Sequence, residues 1–379
     1  MNSYCSKDVK LSIPMPLLLV IDDVGWWSGE NGGHKNEPYR TGINRDHCLG
    51  DYLAIIELAK RINMRIQIGM VLCDWSRNNI LAKIPSTTWL GTSWKDPVSI
   101  DKLDYVANVL NENRKHLEIC LHAVGHEFWE GNIMTRAEWA DSNGIMRDKE
   151  QVKAHLDVFR EIMHQNQLGD FPVSFIPAAF LHTFGEENGI ATILKDYGIR
   201  FISTPFERMK GAKQIQNKYF GIDNGIPTVD RGDNGIPWFE TNPSIADKIF
   251  EGPICGIHWA NILHSDAEQN MNTVELWAEK INPYGQMFDR IIAKDTFDCW
   301  TQLVYHCLAD IHFVDNTMFF DFSKIKKMGI PFLNDSFHIK LETTKKINDY
   351  GNIIERSGNR YIIKIEVEKT NSIKMAGKS

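Results

Sequence analysis

Leu17-Leu18-Leu19-Val20-Ile21-Asp22-Asp23-Val24-Gly25 is the stretch on which the fold turns. Five apolar residues in succession predict a strand buried on both faces, as in a parallel sheet. Burying an unpaired ionised carboxylate is costly, so two aspartates ending such a strand need a cation or hydrogen-bond donors beside them. Taken alone, the pair also fits a strand terminus that caps a helix in a solvated loop. A second stretch changes the odds: Leu117-Glu118-Ile119-Cys120-Leu121-His122-Ala123-Val124-Gly125-His126, again an apolar run meeting polar chemistry at its carboxyl end. Histidines four apart project to one side of a helical turn or tight loop. Two imidazoles and a carboxylate make a common divalent-metal set with positions left open to water and substrate.

Composition narrows the field. A chain of 379 residues can build one large core and a small accessory domain. Its 43% apolar and 24% charged residues are ordinary for a soluble globular protein. A net charge of −7 argues against nucleic acid or an anionic membrane surface as partner. No apolar run approaches a bilayer-spanning length. The seven cysteines are dispersed, odd in number and without a Cys-x-x-Cys pair, so a reducing compartment is expected. Met1 to Leu11 is polar, and the apolar run after Pro16 turns acidic too soon for a secretory signal; a cytoplasmic location is the expectation. Eleven tryptophans suit a sugar-binding cleft, although core packing accounts for most tryptophans in most proteins.

Strand and helix patterns alternate along the chain. Helical periodicity over 46–63, 101–114, 149–165 and 188–197 separates apolar strands over 65–72, 117–123, 173–180 and 198–203. A further strand, 253–259, ends at His258, and helices are expected over 266–280 and 296–308. This order predicts a parallel α/β architecture spanning 1–315. From 316 to 379 the texture becomes short strands and turns, predicting a small β-rich C-terminal domain with a disordered tail. That domain would serve sugar binding, core completion or contact between copies in a homo-oligomer. Asp223-Asn224-Gly225-Ile226-Pro227 and Asp233-Asn234-Gly235-Ile236-Pro237 read as two tight turns in an irregular insert.

Ile21-Asp22-Asp23-Val24-Gly25 and His122-Ala123-Val124-Gly125-His126 resemble the first two motifs of the NodB-type polysaccharide deacetylases, the superfamily that includes carbohydrate esterase family 4. The resemblance runs from about Leu17 to His264 and implies an irregular (β/α) barrel. Val173-Ser174-Phe175-Ile176-Pro177-Ala178-Ala179-Phe180 resembles the third motif, with Pro177 and Phe180 in place. Ile176 stands where the family has the arginine that orients its catalytic aspartate, and Ala178 replaces a proline. Either another residue, such as Arg40 or Arg45, supplies that charge, or activity is altered or lost. Pro253 to Trp259 resembles the last motif through His258, with His264 a competing match.

The resemblance implies a metal-dependent deacetylase that removes an N-acyl or O-acyl group from a sugar. Asp23, His122 and His126 would hold a divalent cation, zinc by preference. Asp22 would be the general base toward water, and His258 would protonate the leaving amine. A backbone N–H near Ala179 and Phe180 would donate to the oxyanion. Trp26 and Trp27, which follow the aspartates, and Phe180 are candidate sugar contacts. A cytoplasmic enzyme would meet a nucleotide- or lipid-linked sugar of surface-polysaccharide synthesis. Two rivals remain open: a metal-independent glycoside hydrolase using two carboxylates, and a silent carbohydrate-binding relative.

Overall fold

The computed structural model describes residues 3–6, 8–29, 40–187, 189–232, 235–314, 317–345, 347, 353–367 and 372–375. His34, Asn188, Asp233 and Asn234 of the second turn, the turn at 348–352 and the end of the tail (376–379) lie outside the described residues. The chain divides into two compact units, Leu19–Ile281 and Met1–Leu18 with Asn282–Ser379.

The larger unit alternates as its sequence predicts. It runs β1 (Met15–Val24), α1 (Leu49–Arg61), β2 (Ile66–Val71), α2 (Ile100–Glu112), β3 (Leu117–Ala123), α3 (Lys149–Gln165), β4 (Ser174–Phe175), α4 (Ile190–Asp196) and β5 (Phe201–Thr204). Then come β6 (Phe220–Asp223), β7 (Ile226–Asp230), β8 (Ile254–His258) and α5 (Asn270–Gln286). The strands join in the order β6-β7-β5-β4-β3-β2-β1-β8. Pairing is parallel from β1 through β5 and between β5 and β7. This is a mixed α/β fold on a largely parallel sheet; among the described residues no strand pair joins its two ends. Every residue of β1, β2 and β3 is buried, as uninterrupted apolar runs require. No helix of the described residues is long and apolar enough to cross a membrane.

The stretch read as an irregular insert is a hairpin instead. Asn224 (φ 49°) and Gly225 (φ 87°) form a tight turn with both central residues left-handed, and β7 then pairs with β5. Pro227 within the run disguised the strand, since proline inside an apolar run usually argues against one.

A second buried polar cluster anchors the start of α1. Arg45 grips Asp51 through two 2.8 Å hydrogen bonds, and His47 Nδ1, Cys48 N–H and Asn270 Nδ2 donate at 3.0, 3.0 and 2.8 Å. Burial works to raise the Asp51 carboxyl, but the bonds from His47 and Arg45 hold it well below its usual 3.8. Its stabilising contribution is therefore complete above that value and lost as pH falls below it. Asp51→Ala, which strands Arg45, should destabilise the protein by about 3–5 kcal/mol at neutral pH. Urea titrations at several pH values should show the gap to wild type narrowing below about pH 4.

In the smaller unit Val9–Ser12 pairs antiparallel with Lys340–Thr343, and Ser3–Cys5, Arg360–Glu366 and Ile353–Ser357 complete a five-stranded sheet. Gln302, on the helix Thr296–Leu308, donates to the carbonyls of Pro14 and His338 at 2.9 Å each. These bonds draw the N-terminus and the 296–308 helix into this unit, whereas the change of texture in the sequence comes only near 316.

Candidate metal-binding site

Asp22 and Asp23 are successive residues, and in a regular strand they would face opposite sides of the sheet. The pairing of β1 with β2 shifts register between Ile21 and Val24, and Asp23 takes a left-handed conformation (φ 64°). This bulge turns both carboxylates into one cavity of about 680 Å³. The β2–β3 pairing shifts likewise opposite His122, and His126 is left-handed too (φ 70°). His122, His126, His258 and Phe180 border the same cavity, so the side chains drawn from four motifs converge.

Asp23 Oδ1 lies 3.2 Å from His122 Nε2 and 3.6 Å from His126 Nε2, with all three side chains buried. His122 Nδ1 donates to the carbonyl of Ile176 at 2.8 Å. In a neutral imidazole that bond uses the only ring proton, so the Nε2 lone pair faces the Asp23 oxygen. Two lone pairs in that position call for positive charge between them, either a second ring proton or a metal ion. Bonds of about 2.0–2.1 Å in a tetrahedral site set neighbouring ligand atoms roughly 3.3–3.4 Å apart, close to the separations seen. Asp23, His122 and His126 thus form a buried group that could hold a metal ion.

Electrostatics keep Asp23 ionised and His126 unprotonated, as metal ligands must be, and favour a proton on His122. Burial pushes the Asp23 carboxyl up, yet the His122 hydrogen bond and the charges of His126, His122 and His258 take it well below the carboxylate range. Burial lowers His122, but Asp23 raises it more, for a net upward shift. His126 is pushed down to about 3, chiefly by burial and against the pull of Asp23. Burial also lowers His258, against the attraction of Asp23 and Asp22, and its buried Nδ1 finds no hydrogen-bond partner among the described residues.

Asp22 is held by a guanidinium from outside the stretches that the sequence singles out. Arg231, which follows β7, reaches Asp22 with two contacts of 2.9 Å, both side chains being buried. Its guanidinium crosses β8 at Gly256, where an added Cβ would stand 2.1 Å from the Arg231 Nε. Neither Arg40 nor Arg45 does this: Arg40 stacks between Trp26 and Trp89, and Arg45 binds Asp51. Ile176 packs beside Gly69 and contributes its carbonyl, the His122 acceptor, in place of a charge. A glycine inside the apolar strand 253–259 was the one sequence signal of a close approach.

The expected tryptophan platform is displaced by the fold. Trp26 is fully buried, and Trp27 packs on Tyr52 and Trp75 while its backbone N–H donates to Asp74 at 2.9 Å, turning the loop inward. Neither borders the cavity; its aromatic walls are Phe180 and Trp238. His264 lies off the cavity and bonds Asp266 instead, whereas His258 stands 6.2 Å from Phe180, ring to ring.

Glu138 holds the histidine loop in shape. Its buried carboxylate accepts the N–H groups of Val124, Gly125 and His126 at 3.0, 2.9 and 3.0 Å, and His155 Nδ1 at 2.9 Å. Trp139 Nε1 adds a 2.7 Å bond to the His122 carbonyl. No sequence pattern marks Glu138, because most of its partners are main-chain amides.

No protein-family profile and no curated protein sequence matches the chain. Solved structures match the chain at low identity and low TM-score. One is the 4-alpha-glucanotransferase of Thermococcus litoralis, with TM-score 0.39 and 10% identity over 74% of this chain and 39% of that one. Another is a GH57-type branching enzyme of Pyrococcus horikoshii, with TM-score 0.36 and 13% identity over 74% and 63%. A third, a polysaccharide deacetylase candidate from Mycobacterium smegmatis, has TM-score 0.38 and 12% identity over 68% and 78%. This chain therefore spans less than two thirds of the first two enzymes.

Proposed function

We propose that the protein is a metal-dependent deacetylase that hydrolyses an acyl group, an amide by preference, on a sugar. The observation that carries this reading is the Asp23–His122–His126 group, whose opposed lone pairs call for a cation. A divalent cation there, zinc by preference, supplies Lewis acidity toward a carbonyl oxygen and toward water. The chain's own residues do the rest. Asp22 takes the proton from water, and the division between the two aspartates is supported by Arg231, which grips Asp22 and leaves Asp23 to the imidazoles. The Arg231 fork fixes both Asp22 oxygens, so the base is oriented before substrate arrives. His258, on the facing wall, gives a proton to the departing amine, which is a poor leaving group without one. Phe180 N–H is already bonded to the Pro177 carbonyl at 2.9 Å, so the oxyanion donor in this scheme is the Ala179 N–H. An irregular NodB-type barrel is the architecture that accompanies this assignment.

Acetate release from N-acetylated sugars tests the proposal. Activity should disappear on dialysis against a chelator and return with added zinc. Glycosidic cleavage that survives the chelator would replace this reading with the two-carboxylate hydrolase. Sugar binding without acetate release, indifferent to Asp22→Asn, would leave a silent binding relative.

A further inference from the structure

Beyond the metal group the cavity carries more positive charge than the proposed hydrolysis uses. Three guanidinium groups border it, from Arg136, Arg208 and Arg231. Among the described residues the carboxylates on its wall are Asp22 and Asp23; the first is matched by Arg231 and the second faces the imidazoles. Arg136 borders the cavity while bonding Glu127 at 3.1 Å. Arg208 is exposed, follows β5 in a turn closed by its N–H on the Pro205 carbonyl, and forms no ion pair among the described residues. Its guanidinium lies 5.8 Å from the Phe180 ring, which itself stands 6.2 Å from His258. A cation is therefore held one aromatic ring away from the proposed proton donor.

We infer that the cavity takes an acylated sugar bearing an oxyanionic substituent, a carboxylate or a phosphate, which Arg208 receives from one wall. Arginine presents a planar fork matched to both anions, and a concave site concentrates its field. A neutral sugar would gain no ionic contact from the Arg208 fork; a charged one aligns its acyl group relative to the fixed Asp22. The inference rests on the proposed function for the location of the reacting bond, but not for the charge preference.

The test compares N-acetylglucosamine, its 6-phosphate and its C6 carboxylate on the zinc-loaded full chain, by calorimetric binding and by acetate release. The charged sugars should bind at least about 10-fold tighter than the neutral one. That advantage should shrink as salt rises from about 0.05 to 0.5 M. In Arg208→Ala and Arg208→Glu the charged-to-neutral ratio should fall to about one or below. A gain confined to one charged sugar names the anion. Equal binding of all three sugars by wild type, or a ratio unmoved in both variants, overturns the inference. A binding preference without acetate release from any sugar would sink the deacetylase and leave the anion site standing. Equal deacetylation and equal binding of neutral and charged sugars would do the reverse.

Discussion

His122→Ala should purify without stoichiometric metal and show no measurable acetate release, even after reloading with zinc. Loss of a residue that merely supports a metal ligand costs about 10–100-fold in metal affinity, so loss of a ligand should exceed that range. Asp23→Ala and His126→Ala should behave alike, because Asp23 Oδ1 is the atom that both imidazoles approach, at 3.2 and 3.6 Å. Elemental analysis is the decisive readout, with circular dichroism as the control for folding. His122 also bonds the Ile176 carbonyl, so some loss of stability is expected with its removal. His126→Ala is the cleaner variant, since Glu138 binds the His126 amide rather than its ring. Folded variants that bind zinc as tightly as wild type would end the metal-site assignment.

Arg231→Met should cost about 3–5 kcal/mol of stability, because it leaves the buried Asp22 carboxylate uncompensated. It should also lower kcat by about 100-fold or more, the range associated with a general base. Arg231→Lys keeps a charge but loses the fork, and should fall between Arg231→Met and wild type. Gly256→Ala approaches the same contact from the other side, since its Cβ would stand where the guanidinium lies. The informative variant is Arg231→Met with Asp22→Asn, which removes both charges. It should recover much of the lost stability and none of the activity, separating packing from chemistry. Denaturant midpoints and kcat, measured together, decide the matter. A single Arg231→Met variant of full activity would remove Asp22 from the role of base.

The convergence of Asp23, His122 and His126 is legible in the sequence because its information is local. Asp22 and Asp23 close one buried strand, and His122 and His126 end another with a fixed spacing. What escaped was non-local. Arg231 lies 209 positions from Asp22 and reaches it only because a hairpin disguised by Pro227 joins the sheet beside β5. Trp26 and Trp27 looked like a cleft surface, but Asp74, some fifty residues on, decides which way their loop folds. Glu138 acts on amide groups that every residue type possesses, so no local pattern betrays it.

Asp23, His126, Ala179 and Phe180 are all non-glycine residues in left-handed backbone conformations, and all four border the cavity. Each such conformation stores on the order of 1–3 kcal/mol, together comparable with the whole net stability of a typical domain. Heat-resistance screens that ignore turnover would therefore favour glycine at these positions, where relaxation is cheapest and function most exposed. A thermostable lineage of this protein chosen by melting point alone would drift toward a sturdier and inert scaffold.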